Sequence, residues 1–373
     1  MIDFRYHLVS IVAVFLALAI GIVLGSTELQ GPTYNLLNQT TAKLQNEYNQ
    51  ASSQRDAAQQ QADLGQNYAQ AVEPVVLHNL LVGQRLLIVT EPGAPASVVT
   101  AISNAATQDA GATVTGQIAL QPKFFDNSDT TLAALNQVNL AMSQADGIAL
   151  NTGTTYQQQA AQVIASEILL RAAGSSTAQQ SAAQPSSSPS ASSSPPASSN
   201  PSVSSNPSAS SQQETIAQTL LTAYANEGFL TISGQPAASA TLALIVTPQT
   251  APADGSADPL DQLLGPVAEE LAANSSATVV AGVSAGSGPG SPIAVLRASS
   301  AASKVSTVDD ADFVVGQSVV VQALAAQLNG ANPGSYGFAN GASAVAPSPA
   351  PTPSASASPT ATASPSVSKK AKR

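Results

Sequence analysis

The sequence predicts an α/β protein tied to a membrane. It would have a single N-terminal transmembrane helix, a long helical coiled-coil stalk, and a doubly wound, mostly parallel α/β domain carrying a disordered Ser/Pro insertion and tail. Three observations predict this. Residues 8–24 form an unbroken apolar run. Residues 33–72 place small and apolar side chains at alternating spacings of four and three. Beyond residue 80, short apolar runs alternate with helical patterns, and such alternation implies a parallel sheet covered by helices. The expected division is 1–27 for the cytoplasmic N-terminus and anchor, 28–80 for the stalk, 81–341 for the α/β domain with 174–213 as its disordered insertion, and 342–373 for a disordered tail with a basic end.

The anchor comes first. No Asp, Glu, Lys or Arg occurs between Arg5 and Glu28, and residues 6–26 supply the roughly 20 residues a helix needs to cross a bilayer core. Arg5, His7 and the terminal amine lie on the amino side. Glu28 lies on the carboxyl side, and no base follows until Lys43. The positive-inside bias therefore places the amino terminus in the cytoplasm and the bulk of the chain outside it, as a single-pass protein of the plasma membrane. Ala17-Leu18-Ala19 has the small-x-small form of a signal-peptidase site, yet the apolar run continues through Ile20, Ile22, Val23 and Leu24. Cleavage sites lie beyond the apolar region, so a retained signal anchor is expected. No cysteine follows Gly25, which excludes a lipoprotein anchor.

Composition narrows the function. The chain has no cysteine, so disulfides, thiolate metal sites and cysteine nucleophiles are excluded. Its net charge is −10, and four of its twelve basic residues are Lys369, Lys370, Lys372 and Arg373. Between Gln84 and Gly341 there are five bases and sixteen acids. Such a surface repels nucleic acid, and no nucleic-acid partner is expected.

In the stalk, Leu37, Thr41, Leu44, Tyr48, Ala51, Arg55, Ala58, Ala62, Gly65, Ala69 and Val72 follow a heptad seam, and Pro32 suits a first helical turn. A helix of ~40 residues would be about 60 Å long. Arg55 and Gly65 interrupt the seam, and few of its members are large. One reading is a solvated Ala/Gln-rich spacer. The other is a parallel homodimer seeded by membrane anchoring, which raises local concentration.

The α/β pattern then runs as strand 85–90, helix 95–109, strand 112–119, strand 146–150 and helix 154–173. It resumes as strand 241–247, helix 260–273, strand 277–283, strand 305–308 and helix 313–328, stopped by Gly330 and Pro333. Leu87-Ile88-Val89-Thr90 and Leu244-Ile245-Val246-Thr247 are each followed at equal distance by Ala-Pro. Two readings fit, an internal duplication or the common look of buried parallel strands. Residues 185–211 consist of Pro, Ser, Ala, Asn and Val with no charge, a composition unable to bury enough apolar surface to offset ordering entropy. Ser/Thr/Pro tracts of this kind suit either glycosylated stalks or plain linkers.

The chain carries few residues in patterns that support chemistry. The turn Thr90-Glu91-Pro92-Gly93-Ala94-Pro95 lacks the glycine spacing of a dinucleotide or phosphate site, and no G-x-S-x-G elbow occurs. The glycine-rich run 284–290 has no lysine-bearing helix after it and reads as a flexible loop. The two histidines, His7 and His78, are too few for a three-histidine zinc site, and His78 is expected at the junction of stalk and domain. Asp309, Asp310 and Asp312 precede the last helix. They are expected to cap its free amides and oppose its dipole, the alternative being a weak cation or partner site. Cu(I) prefers Cys and Met, and Cu(II) prefers His nitrogen. Only Met1, Met142 and the two histidines are present, with no Met-x-x-Met or His-x-His pair. No catalytic, cofactor-binding or metal-binding residue is assigned, and no enzyme activity is expected.

The N-terminal stretch MIDFRYHLVSIVAVFLALAIGIVLGS resembles the start of the mycobacterial copper transport protein B (MctB) family. Ser306-Thr307-Val308-Asp309-Asp310-Ala311-Asp312 followed by Gly316-Gln317, and the later Gly334-Ser335-Tyr336-Gly337, are similar to that family's further hallmarks. The resemblance covers roughly residues 1–341. It implies an actinobacterial cell-envelope protein that keeps intracellular copper low, with copper entering the reading through the resemblance alone. It also links related members to envelope integrity and division, acting with a neighbouring membrane protein to control peptidoglycan hydrolases; the alternative reading, which the residues favour, is a non-enzymatic envelope scaffold, dimeric through the stalk. The resemblance supplies no copper ligand to carry over.

Overall fold

The structure is a computed structural model that describes residues 4–28, 30–170, 207–248 and 261–348. Two compact units emerge, Met1–Tyr68 and Ala69–Arg373. The first contains α1 (Phe4–Glu28) and most of α2 (Gln30–Leu77). Within α1, Phe4–Gly25 is long and apolar enough to cross a membrane, and none of it is buried in protein. Along α2 the apolar residues Leu37, Leu44, Tyr48, Leu64 and Tyr68 are exposed.

The second unit opens with the last turns of α2. Leu77 at its end and Leu81 in the turn that follows are fully buried. Burying a leucine contributes on the order of 2 kcal/mol, so these two residues fasten the start of the domain. A seven-stranded sheet follows, built from β1 (Arg85–Thr90), β2 (Thr113–Leu120), β3 (Leu230–Gly234), β4 (Leu242–Val246), β5 (Ala277–Ala281), β6 (Ser306–Val308) and β7 (Ser335–Tyr336). The order is β3-β2-β1-β4-β5-β6-β7. Every pair is parallel except β2–β3. The helices are α3 (Ala96–Asn104), α4 (Asp129–Asp146), α5 (Tyr156–Ile168), α6 (Pro207–Asn226), α7 (Asp261–Asn274), α8 (Pro292–Ala298) and α9 (Val314–Leu328). One core cluster joins the sheet to α5, α6, α7 and α8, and the other joins it to α3, α9 and the end of α2. Helices therefore cover both faces. β1 and β4 are wholly apolar apart from Arg85 and Thr90, as strands buried on both faces must be.

Several expectations are corrected. Residues 146–150 are not a strand. Asp146 closes α4, Gly147 takes a left-handed conformation at φ 70°, and Ile148 and Leu150 pack on the core as coil. Residues 207–213, placed in the insertion, belong to α6. The domain also runs past residue 341, because Tyr336 bridges Ala344. Residues 174–206 of the expected insertion and 349–373 of the expected tail lie outside the described residues. The similar strands β1 and β4 are immediate neighbours at the centre of the sheet, with Thr90 beside Val246.

Candidate functional site

The most elaborate polar centre among the described residues lies at the carboxyl ends of β5, β6 and β7. The strand β6 delivers Asp309, Asp310 and Asp312 in a turn before α9. The helix α8 delivers Arg297. Arg297 Nη1 lies 2.8 Å from Asp309 Oδ2, and both side chains are almost wholly buried. Arg297 Nε donates to Thr307 Oγ1 at 2.9 Å and Nη2 donates to the Tyr336 carbonyl at 2.8 Å. One guanidinium thus ties α8 to β6 and β7. Asp309 Oδ1 accepts from the main-chain amides of Phe338 at 2.8 Å and Ala339 at 3.1 Å. Gly337, at φ 120°, lets the chain pass there, since a Cβ would strike the Asp309 carboxylate.

Asp312 accepts from the Ser284 amide at 2.9 Å and the Ser284 hydroxyl at 2.6 Å. The Ser287 hydroxyl reaches the carbonyls of Val283 and Asp309. The glycine-rich run is thereby a fastened turn rather than a flexible loop. Asp310 differs from its neighbours. It is 2 % exposed, and neither carboxyl oxygen has a hydrogen-bond partner among the described residues. Burial first and the Asp309 charge second push its carboxyl up to about 6, against the pull of its own amide; Asp312 adds to the rise and Arg297 opposes it. Gly316 admits the Asp310 carbonyl against the first turn of α9, where a Cβ would overlap it.

The capping role expected of the three aspartates is not what the structure builds. Phe313 occupies the N-cap of α9 and no side chain caps it. Asp309 and Asp312 instead bind amides of other segments. Sequence reasoning found the aspartates but missed Arg297, which stands in an otherwise apolar helix, Pro-Ile-Ala-Val-Leu-Arg-Ala. A lone base on a buried stripe requires a buried acid, and that was the available signal.

The remaining candidates are dispersed. His78 is exposed and lies 2.8 Å from the Asn79 side chain. Met142 packs on the cluster containing α5 and α6, while Leu77 and Leu81, which flank His78, belong to the cluster on the other face. Among the described residues, no three His, Cys, Asp or Glu converge as a metal site. A groove of about 590 Å³ is lined by Val76, Leu80, Ala325, Ala326, Pro347 and neighbouring uncharged residues, so it offers no charged side chain, imidazole or sulfur to a metal ion.

Fold and site together define an α/β protein with, among the described residues, one membrane-length apolar helix and a buried ion-paired node at the carboxyl edge of its sheet. Residues 1–347 match the family described as "Copper transport outer membrane protein, MctB", and the chain belongs to that family. It is 28% identical over 349 residues to the copper transporter MctB of Mycobacterium tuberculosis, covering 92% of this chain and 99% of the relative. The corresponding protein of Mycobacterium bovis gives the same figures. That of Mycobacterium leprae is 27% identical over 350 residues, with the same coverage. The family is described by transport and not by catalysis.

Proposed function

We propose that this chain serves copper homeostasis or efflux as a single-pass envelope protein that holds no copper of its own. The observation that carries this reading is the family match across residues 1–347 joined to one membrane-length helix at the amino end. In this reading α1 stays in the plasma membrane with its amino end in the cytoplasm. The helix α2 up to Tyr68 acts as a stalk, and the unit that begins at Ala69 and extends at least to Ala344 forms the extracytoplasmic domain. Copper is cargo handled by an export apparatus that this protein supports. The ligand-poor composition, with no cysteine and two each of His and Met, favours support over direct coordination. A closed antiparallel barrel is the form of outer-membrane pores, and the described sheet is open and mostly parallel. That favours the plasma membrane.

Deleting the gene should raise cellular copper, measured by elemental mass spectrometry, and increase copper sensitivity, with both restored by the intact gene. Unchanged copper in the deletion strain would overturn the reading. The scaffold reading, dimeric through the stalk and acting with an envelope partner on a peptidoglycan hydrolase, is favoured by the exposed Leu37, Leu44 and Tyr48 on the heptad seam of α2. It predicts septation and shape defects that added or withheld copper does not alter.

A further inference from the structure

We propose that Asp310 is a proton-operated latch: protonated, it lets the 337–341 loop lie closed on the carboxyl end of β6, and ionised, it loosens that loop. A buried charge needs a partner, or it gives up the charge. The nearest cation, Arg297, is committed to Asp309 at 2.8 Å and to the Tyr336 carbonyl. No three ligating side chains gather for a metal among the described residues. Asp310's own oxygens are sealed from solvent and lack hydrogen-bond partners there. A proton is the neutralising cation that fits such a space.

The elements packed around it do not supply another. From α9 come Gly316, against the Asp310 carbonyl, and Gln317, whose side-chain amide donates to the Ala311 carbonyl. From the turn after β5 come Ser284 and Ser287, bound to Asp312 and to the Asp309 carbonyl. The charged groups facing Asp310 are Asp309, Asp312 and Arg297. Ionisation therefore places a second negative charge beside Asp309. Asp309 Oδ1 is also the acceptor that holds the amides of Phe338 and Ala339. The loop so held displays Phe338, which is 72% exposed. Opening of this loop, which holds Phe338 at the Asp309 carboxylate, lets water screen the two like charges, so proton loss at Asp310 favours the open loop across the mildly acidic to neutral range.

The latch is independent of the copper reading, and its test needs no copper. The full chain, in detergent micelles, is subjected to amide hydrogen exchange at pH 5 and pH 7.5, with exchange times scaled to the intrinsic chemical rate. Opening of the segment 334–341 should increase by up to about tenfold from pH 5 to pH 7.5, while peptides from α5 should not change. Tenfold is the upper limit set by linkage, reached when opening returns a carboxyl near 6 fully to its ordinary value. In Asp310→Asn, which cannot ionise, the segment should stay protected at both values. Equal protection of the wild-type segment at the two values would overturn the proposal whether or not the variant folds. So would an increase that persists in Asp310→Asn.

Discussion

Arg297 and Asp309 show how one buried pair can organise three elements, and what its loss would do. Removing one partner of a buried pair leaves an uncompensated charge and costs about 3–5 kcal/mol. Arg297→Met should therefore lower stability by about that amount in urea denaturation. A loss below about 1 kcal/mol would mean the pair contributes no more than a surface one. Asp310 acts in the opposite sense. Its carboxyl is raised from 3.8 to about 6 in the folded protein. A raised carboxyl favours the neutral form on folding, so stability is present at low pH and lost as pH rises from about 4 through about 6. The full loss is at most about 3 kcal/mol, at roughly 1.4 kcal/mol for each pH unit between the unfolded and folded values. Asp310→Asn should flatten this dependence and raise the thermal midpoint at pH 7.5. An unchanged slope of midpoint against pH would refute the assignment.

At the scale of elements, legibility followed apolar continuity. The strands β4 and β5 and the helices α7 and α9 carry enough apolar residues to be read from the sequence within a residue or two. The helix α4 was missed for a physical reason. Its buried positions are Thr131, Leu135, Asn139 and Ser143, a four-residue repeat in which three members are polar. Asn139 is satisfied there, donating to the Tyr156 carbonyl at 2.9 Å and accepting from the Tyr224 hydroxyl at 2.7 Å. Hydrophobic periodicity cannot detect a helix whose hidden face is polar and hydrogen-bonded. The short β3, β7 and α8 were missed because two to seven residues carry too little pattern. The Asp cluster was visible as a motif, but its role depended on Arg297, Gly316 and Gly337, which only the fold brings together. For α2, the heptad seam makes its own prediction in a chain without native thiols. Leu44→Cys, on the seam, should cross-link to a dimer on oxidation in membranes, whereas Gln45→Cys should not. Equal cross-linking of both, or of neither, would contradict a paired stalk.

For the whole molecule, one sheet with helices on both faces, one apolar helix and the long polar helix α2 account for most of the described residues of a family member. The sheet order reverses between β1 and β4, and ligands of doubly wound sheets commonly sit outside the carboxyl ends of the strands at such a point. Here the built polar contacts instead gather one to three strands further along the sheet, beyond β5, β6 and β7. The account depends most on where this domain resides, and the absence of cysteine makes that directly measurable. Asn332 is exposed, so Asn332→Cys supplies a single thiol on the domain surface. In intact spheroplasts a membrane-impermeant maleimide should label it fully, on a protein whose mass still includes α1. Labelling that appears only after the membrane is broken would place the domain in the cytoplasm and contradict the account.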